Sequence, residues 1–256
     1  MLRFKSLGSG STGNATLVEV AGRKPVRLLV DCGLGQKRLA LRLAGAGLIT
    51  DDIDAIFITH EHSDHIGCTR QFAKRHRVPV WMSRGTYEGI GSPDFDGLLN
   101  TARDGEGIDL GALQIMPFTV PHDAREPLQL TCTDGTAKLG ILTDLGHATA
   151  YLLDHLALCD ALLLECNHDC ELLALSAYPP FLKRRVGGMY GHLSNTAASA
   201  IARSVVHSGL KHLVAAHLSE KNNRPELAHR AMSEALGDST EVVIADANAG
   251  TRWLEI

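Results

Sequence analysis

The sequence predicts a four-layer α/β sandwich, two sheets packed face to face with helices on both outer faces. Two observations carry this expectation. Apolar runs of strand length recur in both halves of the 256 residues, and in each half they are interleaved with stretches of helical periodicity. Hydrophobic content of 45% with 21% charged residues is that of a chain folded throughout. At this size about 70–75% of the unfolded surface is buried, so one domain can build its core without disulfides or structural metal. A single domain over 1–256, with pseudo-twofold halves, is therefore expected.

In chain order, Leu2 to Leu7, Ala15 to Val20 and Val26 to Asp31 predict a three-stranded meander, separated by SGSTG and AGRKP turn chemistry. Leu39, Leu41, Leu43 and Leu48 lie in a basic stretch that predicts a helix, and IDAIFI (53–58) predicts a strand. A helix is expected from Ile66 to His76 and a strand from Val78 to Met82, whereas the Gly- and Asp-rich chain from Arg84 to Leu113 predicts no long element. Strands follow at 112–120, 127–133 and 137–143, the last two joined by Asp134-Gly135, a strong hairpin signal. A helix from Thr149 to Leu156 leads to strand ALLLEC (161–166), then to helices near Tyr178 to Val186 and Ser194 to Val206. The end repeats the rhythm: strand 212–216, helix Pro225 to Ala235, and strands Glu241 to Ala245 and Thr251 to Ile256.

Composition narrows the function. With 25 Lys and Arg against 29 Asp and Glu the formal charge is −4, which excludes a strongly basic nucleic-acid coat. Six scattered cysteines, with no CxxC pair, form neither a disulfide framework nor a thiolate zinc site and suit the reducing cytoplasm. MLRFKSLGSGSTGN has no apolar signal region, and Asp160 interrupts the apolar stretch LALCDALLLEC, so neither secretion nor membrane spanning is expected. The 13 histidines stand out, because several end apolar runs.

His60-Glu61-His62-Ser63-Asp64-His65 follows the strand ending at Ile58. In extended chain His60 and His62 face one side and Glu61 the other; if Ser63 or Asp64 opens a helix, Asp64 and His65 fall on its first turn. Two convergent sets of donors suit two ions about 3.5–4 Å apart. The plainer alternative is a solvated strand-to-helix loop with a Ser cap, which three histidines and an aspartate in six residues disfavour. His122, Asp144 and His217 each end an apolar run, on the strand edge where α/β active sites collect. Taken singly, each is better explained as a hydrogen-bonded surface histidine or a turn aspartate; beside the cluster, the balance reverses.

The stoichiometry closes. His60, His62 and His122 supply three nitrogens to one metal, Asp64, His65 and His217 a carboxylate and two nitrogens to the other, and Asp144 bridges. Each ion would keep an open position shared by a hydroxide, formed from water whose pKa falls to about 7. Donors of N and O without thiolate suit Zn, Mn, Fe or Co; two zinc or manganese ions are expected, with iron a further option.

THEHSDH (59–65) with His122, Asp144 and His217 resembles the HxHxDH signature and ligand motifs of the metallo-β-lactamase superfamily over essentially the whole chain. SGSTGN (9–14), VPHDA (120–124), TDLG (143–146), NHD (167–169), GHLSN (191–195) and HLSEKNN (217–223) are similar to its YycJ/WalJ-type branch. That resemblance implies an αββα fold and 5′ to 3′ DNA exonuclease activity linked to repair. The chain lacks the long inserted domain of similar RNA-processing nucleases and any extended arm of the tRNA 3′-processing type. His62 stands where flavodiiron relatives carry Glu, which disfavours an oxygen-reducing di-iron site.

On the substrate side, Ser9, Ser11 and Asn14 belong to a small-residue loop able to turn N–H groups toward an anion, or simply to a hairpin turn. His192 precedes an expected cap at Ser194, where imidazole and free helix N–H groups suit a phosphate; a capped surface helix is the plainer reading. His168, between Asn167 and Asp169, either supports the ligands or meets substrate. Lys183-Arg184-Arg185 either tracks a nucleic-acid backbone or is a solvated face, and Cys68 is read as a buried small hydrophobe. The expected function is a dinuclear phosphodiesterase acting on DNA, with Asp64 and His192 in catalysis. The alternative is a small-molecule hydrolase of lactones, thioesters or cyclic phosphodiesters, favoured by a wider apolar pocket.

Overall fold

A computed structural model describes residues 1–256. The strands are β1 (Leu2–Gly8), β2 (Ala15–Val20), β3 (Val26–Val30), β4 (Ala55–Phe57), β5 (Val80–Met82), β6 (Leu99–Thr101) and β7 (Ile108–Asp109). There follow β8 (Gln114–Thr119), β9 (Leu128–Thr133), β10 (Lys138–Leu142), β11 (Ala161–Glu165), β12 (His212–Ala216), β13 (Glu241–Ile244) and β14 (Leu254–Glu255). The helices are α1 (Gln36–Gly45), α2 (Ser63–Ile66), α3 (Thr69–His76), α4 (Arg84–Gly89), α5 (Ala150–Leu156), α6 (Cys170–Leu175), α7 (Pro180–Val186), α8 (Asn195–Val205) and α9 (Pro225–Leu236).

Two seven-stranded sheets result, ordered β14-β1-β2-β3-β4-β5-β6 and β13-β12-β11-β10-β9-β8-β7. Each combines antiparallel pairing through its meander (β1 to β3, β7 to β10) with parallel pairing through its β/α part (β3 to β6, β10 to β13), so the halves repeat one plan. β14 ties the C-terminal end back to the first sheet, with Phe4 opposite Leu254.

Strand alternation sorts side chains into layers. Leu28 and Val30 of β3 face the core between the sheets, with Phe4, Leu130, Ile141, Leu163 and Val214. Leu29 faces outward, under Leu39 and Leu43 of α1 and Phe72 of α3. On the other side Leu162 and Leu164 of β11 meet Leu152 of α5, Ile201 of α8 and Met232 of α9. Three apolar layers between four structural layers make an αββα sandwich. Truncating fully buried Phe4 to Ala would cost about 3–5 kcal/mol.

Three stretches of the chain differ from expectation. The helix expected from Ile66 to His76 is two helices, α2 and α3, broken at Gly67 (φ +30°), where a Cβ would lie 2.5 Å from the Cys32 carbonyl oxygen. Within Arg84 to Leu113, α4 forms on a Ser83 cap that accepts from Thr86 N, and β6 and β7 form through pairing with β5 and β8. α6, unforeseen, starts on the Asp169 carboxylate, which accepts from the N–H groups of Glu171 and Leu172. The Asp134-Gly135 hairpin closes β9 onto β10, and Asp134 accepts from the N–H groups of Thr136 and Ala137.

Candidate metal centre

The site lies along one edge of the sandwich, where strands from both sheets end. Asp31 follows β3, His60 and His62 follow β4, and Asp64 and His65 lie on α2. His122 follows β8, Asp144 follows β10, Glu165 ends β11 and His217 follows β12. β4 and β11 are buried along their length and β3, β10 and β12 are buried at their C-terminal ends, so polar residues just beyond these strands emerge at this seam.

The metal-ligating atoms of His60, His62 and His122 lie within 4.8 Å of one another, as do those of Asp64, His65 and His217. Asp144 stands between the two sets. Its Oδ2 is 2.6 Å from His65 Nε2 and 3.7 Å from His60 Nε2, while its Oδ1 is 2.8 Å from His217 Nδ1 and 3.0 Å from His192 Nδ1. Neither of those two rings directs a hydrogen at Oδ1, which is buried without a hydrogen-bond partner, as is His217 Nε2. Buried polar atoms ordinarily have partners. Partnerless donor atoms converging from imidazoles and carboxylates fit divalent cations. Glu61 points away, as the extended chain requires, and its Oε1 accepts from Arg125 N.

A supporting layer orients these groups. Asp31 accepts from Thr59 N and Oγ1, and its Oδ2 is 2.7 Å from His65 Nδ1. Thr59 Oγ1 is in turn 3.0 Å from His60 Nδ1. His122 Nδ1 lies 3.1 Å from the Gly191 carbonyl, so its Nε2 is turned toward His62. Glu165, fully buried, accepts from Leu145 N and Leu193 N through Oε2 and places Oε1 2.7 Å from His192 Nδ1 and 3.2 Å from His217 Nδ1. Such outer contacts select the tautomer and ring orientation of a ligand.

Asp31 and Glu165 were not singled out in the sequence. An acidic residue closing an apolar run, as in LLVD (28–31) and ALLLE (161–165), is the signal that marks both. His217 itself has a left-handed backbone (φ 54°), a strained conformation for a non-glycine residue. Two side chains hold it there: Ser9 Oγ accepts from His217 N at 2.7 Å, and Asn167 Nδ2 donates to its carbonyl at 3.0 Å.

The charges are strongly coupled. Burial disfavours the protonated His65 ring, but Asp144 and Asp31 outweigh it and push it up to about 10. His192 is likewise pushed up to about 10, by Glu165 and Asp144 against burial, and His217 stands well above its usual value beside Asp144. Burial holds His60 and His122 in the neutral form that binds metal. Burial opposes ionisation of Asp144, yet His217 and His65 hold it well below the carboxylate range.

Among the expected substrate-side residues, Ser11 and His192 line the cleft over the metal centre, a cavity of about 320 Å³. Ser9 is buried against His217, and Asn14 is buried with its Nδ2 3.4 Å from Asp64 Oδ2 and 3.0 Å from His65 Nε2. His168 is buried behind the site and Ser194 caps α8 by accepting from Ala197 N. Arg185 of the basic run also lines the cleft, as do Tyr178, Ser219 and Asn222, which were not expected at the substrate.

Comparison with known proteins agrees with this geometry. Residues 8–147 match the family described as the metallo-beta-lactamase superfamily. The exodeoxyribonuclease YycJ of Bacillus anthracis is 34% identical over 240 residues, covering 92% of this chain and 89% of that protein. The exodeoxyribonuclease WalJ of Streptococcus pneumoniae serotype 2 is 31% identical over 242 residues, 93% of this chain and 89% of its own. The crystal structure of the metallo-beta-lactamase fold protein YhfI from Bacillus subtilis superposes with a TM-score of 0.77 at 20% identity, covering 100% of both chains.

Proposed function

The chain belongs to the metallo-β-lactamase superfamily, and from that premise we propose that it is a dinuclear metal-dependent phosphodiesterase that digests DNA from the 5′ end. One observation carries the reading: two sets of nitrogen and oxygen donors meet at Asp144 on the floor of a polar cleft. DNA as substrate is supported by the exodeoxyribonuclease relatives. The polar lining, apolar only at Tyr178 and Val186, suits an anionic diester better than a lactone or thioester. Under this reading residues 1–256 act as one domain, and six free cysteines suit a reducing cytoplasm.

His60, His62 and His122 would hold one cation, Asp64, His65 and His217 the other, with Asp144 reaching both. Bound there, zinc or manganese would supply Lewis-acid activation of water and neutralise charge on the scissile phosphate. The protein's own groups do the rest. Asn14 orients Asp64 from behind, leaving it on the cleft floor. Glu165 occupies His192 Nδ1, so His192 presents Nε2 to the cleft and, protonated, can give its proton to the leaving oxygen. Ser11, Ser219, Asn222 and Arg185 surround the space a phosphate would enter.

The test offers metal-loaded protein strands labelled at either end, with 5′-phosphate or 5′-hydroxyl, beside a lactone and a thioester. Mononucleotides should leave from the 5′ end, faster when that end carries phosphate, and Ser11→Ala should shrink the difference. Release from the 3′ end would overturn the polarity. Turnover of the lactone or thioester with none of DNA would overturn the phosphodiesterase reading.

A further inference from the structure

We infer that residues 176–190, beside the cleft, form a stacking platform for the unpaired bases of a single DNA strand; this rests on the nuclease reading above. A cleft of about 320 Å³ is at the small end of ligand sites. It takes one nucleotide, so the following strand must lie on the rim.

That rim is unusual. Five of the six phenylalanines are buried, whereas Phe181 on α7 is 66% exposed. Tyr190 is 62% and Met189 61% exposed, so three large apolar side chains stand exposed within ten residues. Tyr178, three residues before Phe181 and just ahead of α7, lines the cleft itself, as does Arg185, one turn of α7 after Phe181. Phe181 therefore stands in a segment whose flanking residues reach the cleft.

Cations are interleaved with them. Lys183, Arg184 and Arg185 form the last turn of α7, and Lys221 Nζ sits 5.7 Å from the Tyr178 ring centroid. The stretch is also anchored: Tyr190 O accepts from Asp123 N at 2.9 Å, Met189 O lies 2.8 Å from His147 Nδ1, and Arg185 Nε donates to Asp123 at 2.6 Å. Exposed aromatic side chains with cations beside them, on an anchored segment that also lines a phosphodiesterase cleft, match the chemistry of a single strand, whose bases expose faces that a duplex hides.

The experiment measures fluorescence anisotropy of a labelled single strand with uncleavable phosphorothioate linkages, and of the same sequence as a duplex, with metal-loaded protein. Phe181→Ala and Tyr190→Ala should each raise the Kd for the single strand roughly tenfold, the usual scale of one lost base stack. Phe181→Trp should restore it, and Leu41→Ala, another exposed apolar residue, should leave it unchanged. Duplex affinity and the hydrolysis rate of bis(4-nitrophenyl) phosphate, which needs only the cleft, should not change. Unaltered single-strand affinity in both alanine variants, or equal weakening for strand and duplex, overturns the platform while hydrolysis of the small diester leaves the phosphodiesterase reading standing. Wild-type protein inert toward both the diester and DNA overturns both.

Discussion

His192 and His217 share one buried carboxylate, and their roles separate on that fact. Both Nδ1 atoms approach Glu165 Oε1, but His217 also lies 3.5 Å from Asp64 through Nε2, while His192 turns its other side to the cleft. His192→Ala should therefore keep its metal and lose about 10²–10⁴ in rate, the range for a missing general acid. Metal content falling in parallel with that of His217→Ala would make His192 a ligand instead. Glu165→Gln should keep an oxygen for the N–H groups of Leu145 and Leu193 but set an amide NH₂ against two imidazole N–H groups. The expected loss in metal affinity or rate is about 10- to 100-fold, read by metal titration and initial rates. Wild-type values would reduce Glu165 to a space-filling role.

Among the elements, the turn after β3 is what fixes the position of α2. Asn14 N donates to the Asp64 carbonyl and Cys32 N to that of His65, so the metal-binding turn rests on the β1–β2 and β3–α1 loops. Gly33 makes that contact possible: a Cβ there would lie 1.7 Å from the Asp64 carbonyl oxygen and 2.8 Å from Asn14 N. Gly33→Ala should displace Asp64 and His65 together, costing at least about 1–3 kcal/mol in stability as overpacking does. Reduced metal uptake should accompany the lower melting temperature. Gly35→Ala is the internal control, because nothing lies within 4 Å of its added Cβ. Equal melting temperatures and metal contents for the two variants would show that α2 does not depend on this packing.

For the molecule as a whole, the metal centre is a seam. His60, His62, Asp64 and His65 come from the first sheet's half, and His122, Asp144, Glu165 and His217 from the second. Cations held there would cross-link the halves and offset buried negative charge. Metal at a hundredfold excess over its Kd adds about 2.7 kcal/mol, and for a chain of this size each kcal/mol moves Tm by roughly 2–4 °C. Chelation should therefore lower Tm by about 5–10 °C, reversibly on reloading. Asp144→Ala should bind less metal and show a smaller shift. A melting temperature indifferent to chelator and to added zinc or manganese in wild-type protein would count against a metal centre at this seam.

The sequence by itself determined the alternation of strand and helix in both halves, the placement of His60 to His65 after a buried strand, and the polar residues that end apolar runs. These are local patterns, set by side-chain period and chain direction within a few residues. Only the tertiary structure decided what contacts across many residues create. Edge strands β6 and β7 are too short to show a period and exist through their partners. Gly67 splits a helix because distant Cys32 passes beneath it. Asp31 and Glu165 become supports for histidines because the sheets bury them, and in sequence they look like any acid after a strand. Ser9 and Asn14 belong to a loop expected at the substrate, yet they hold His217 and Asp64 from behind, since which face of a turn meets solvent depends on what packs against the other.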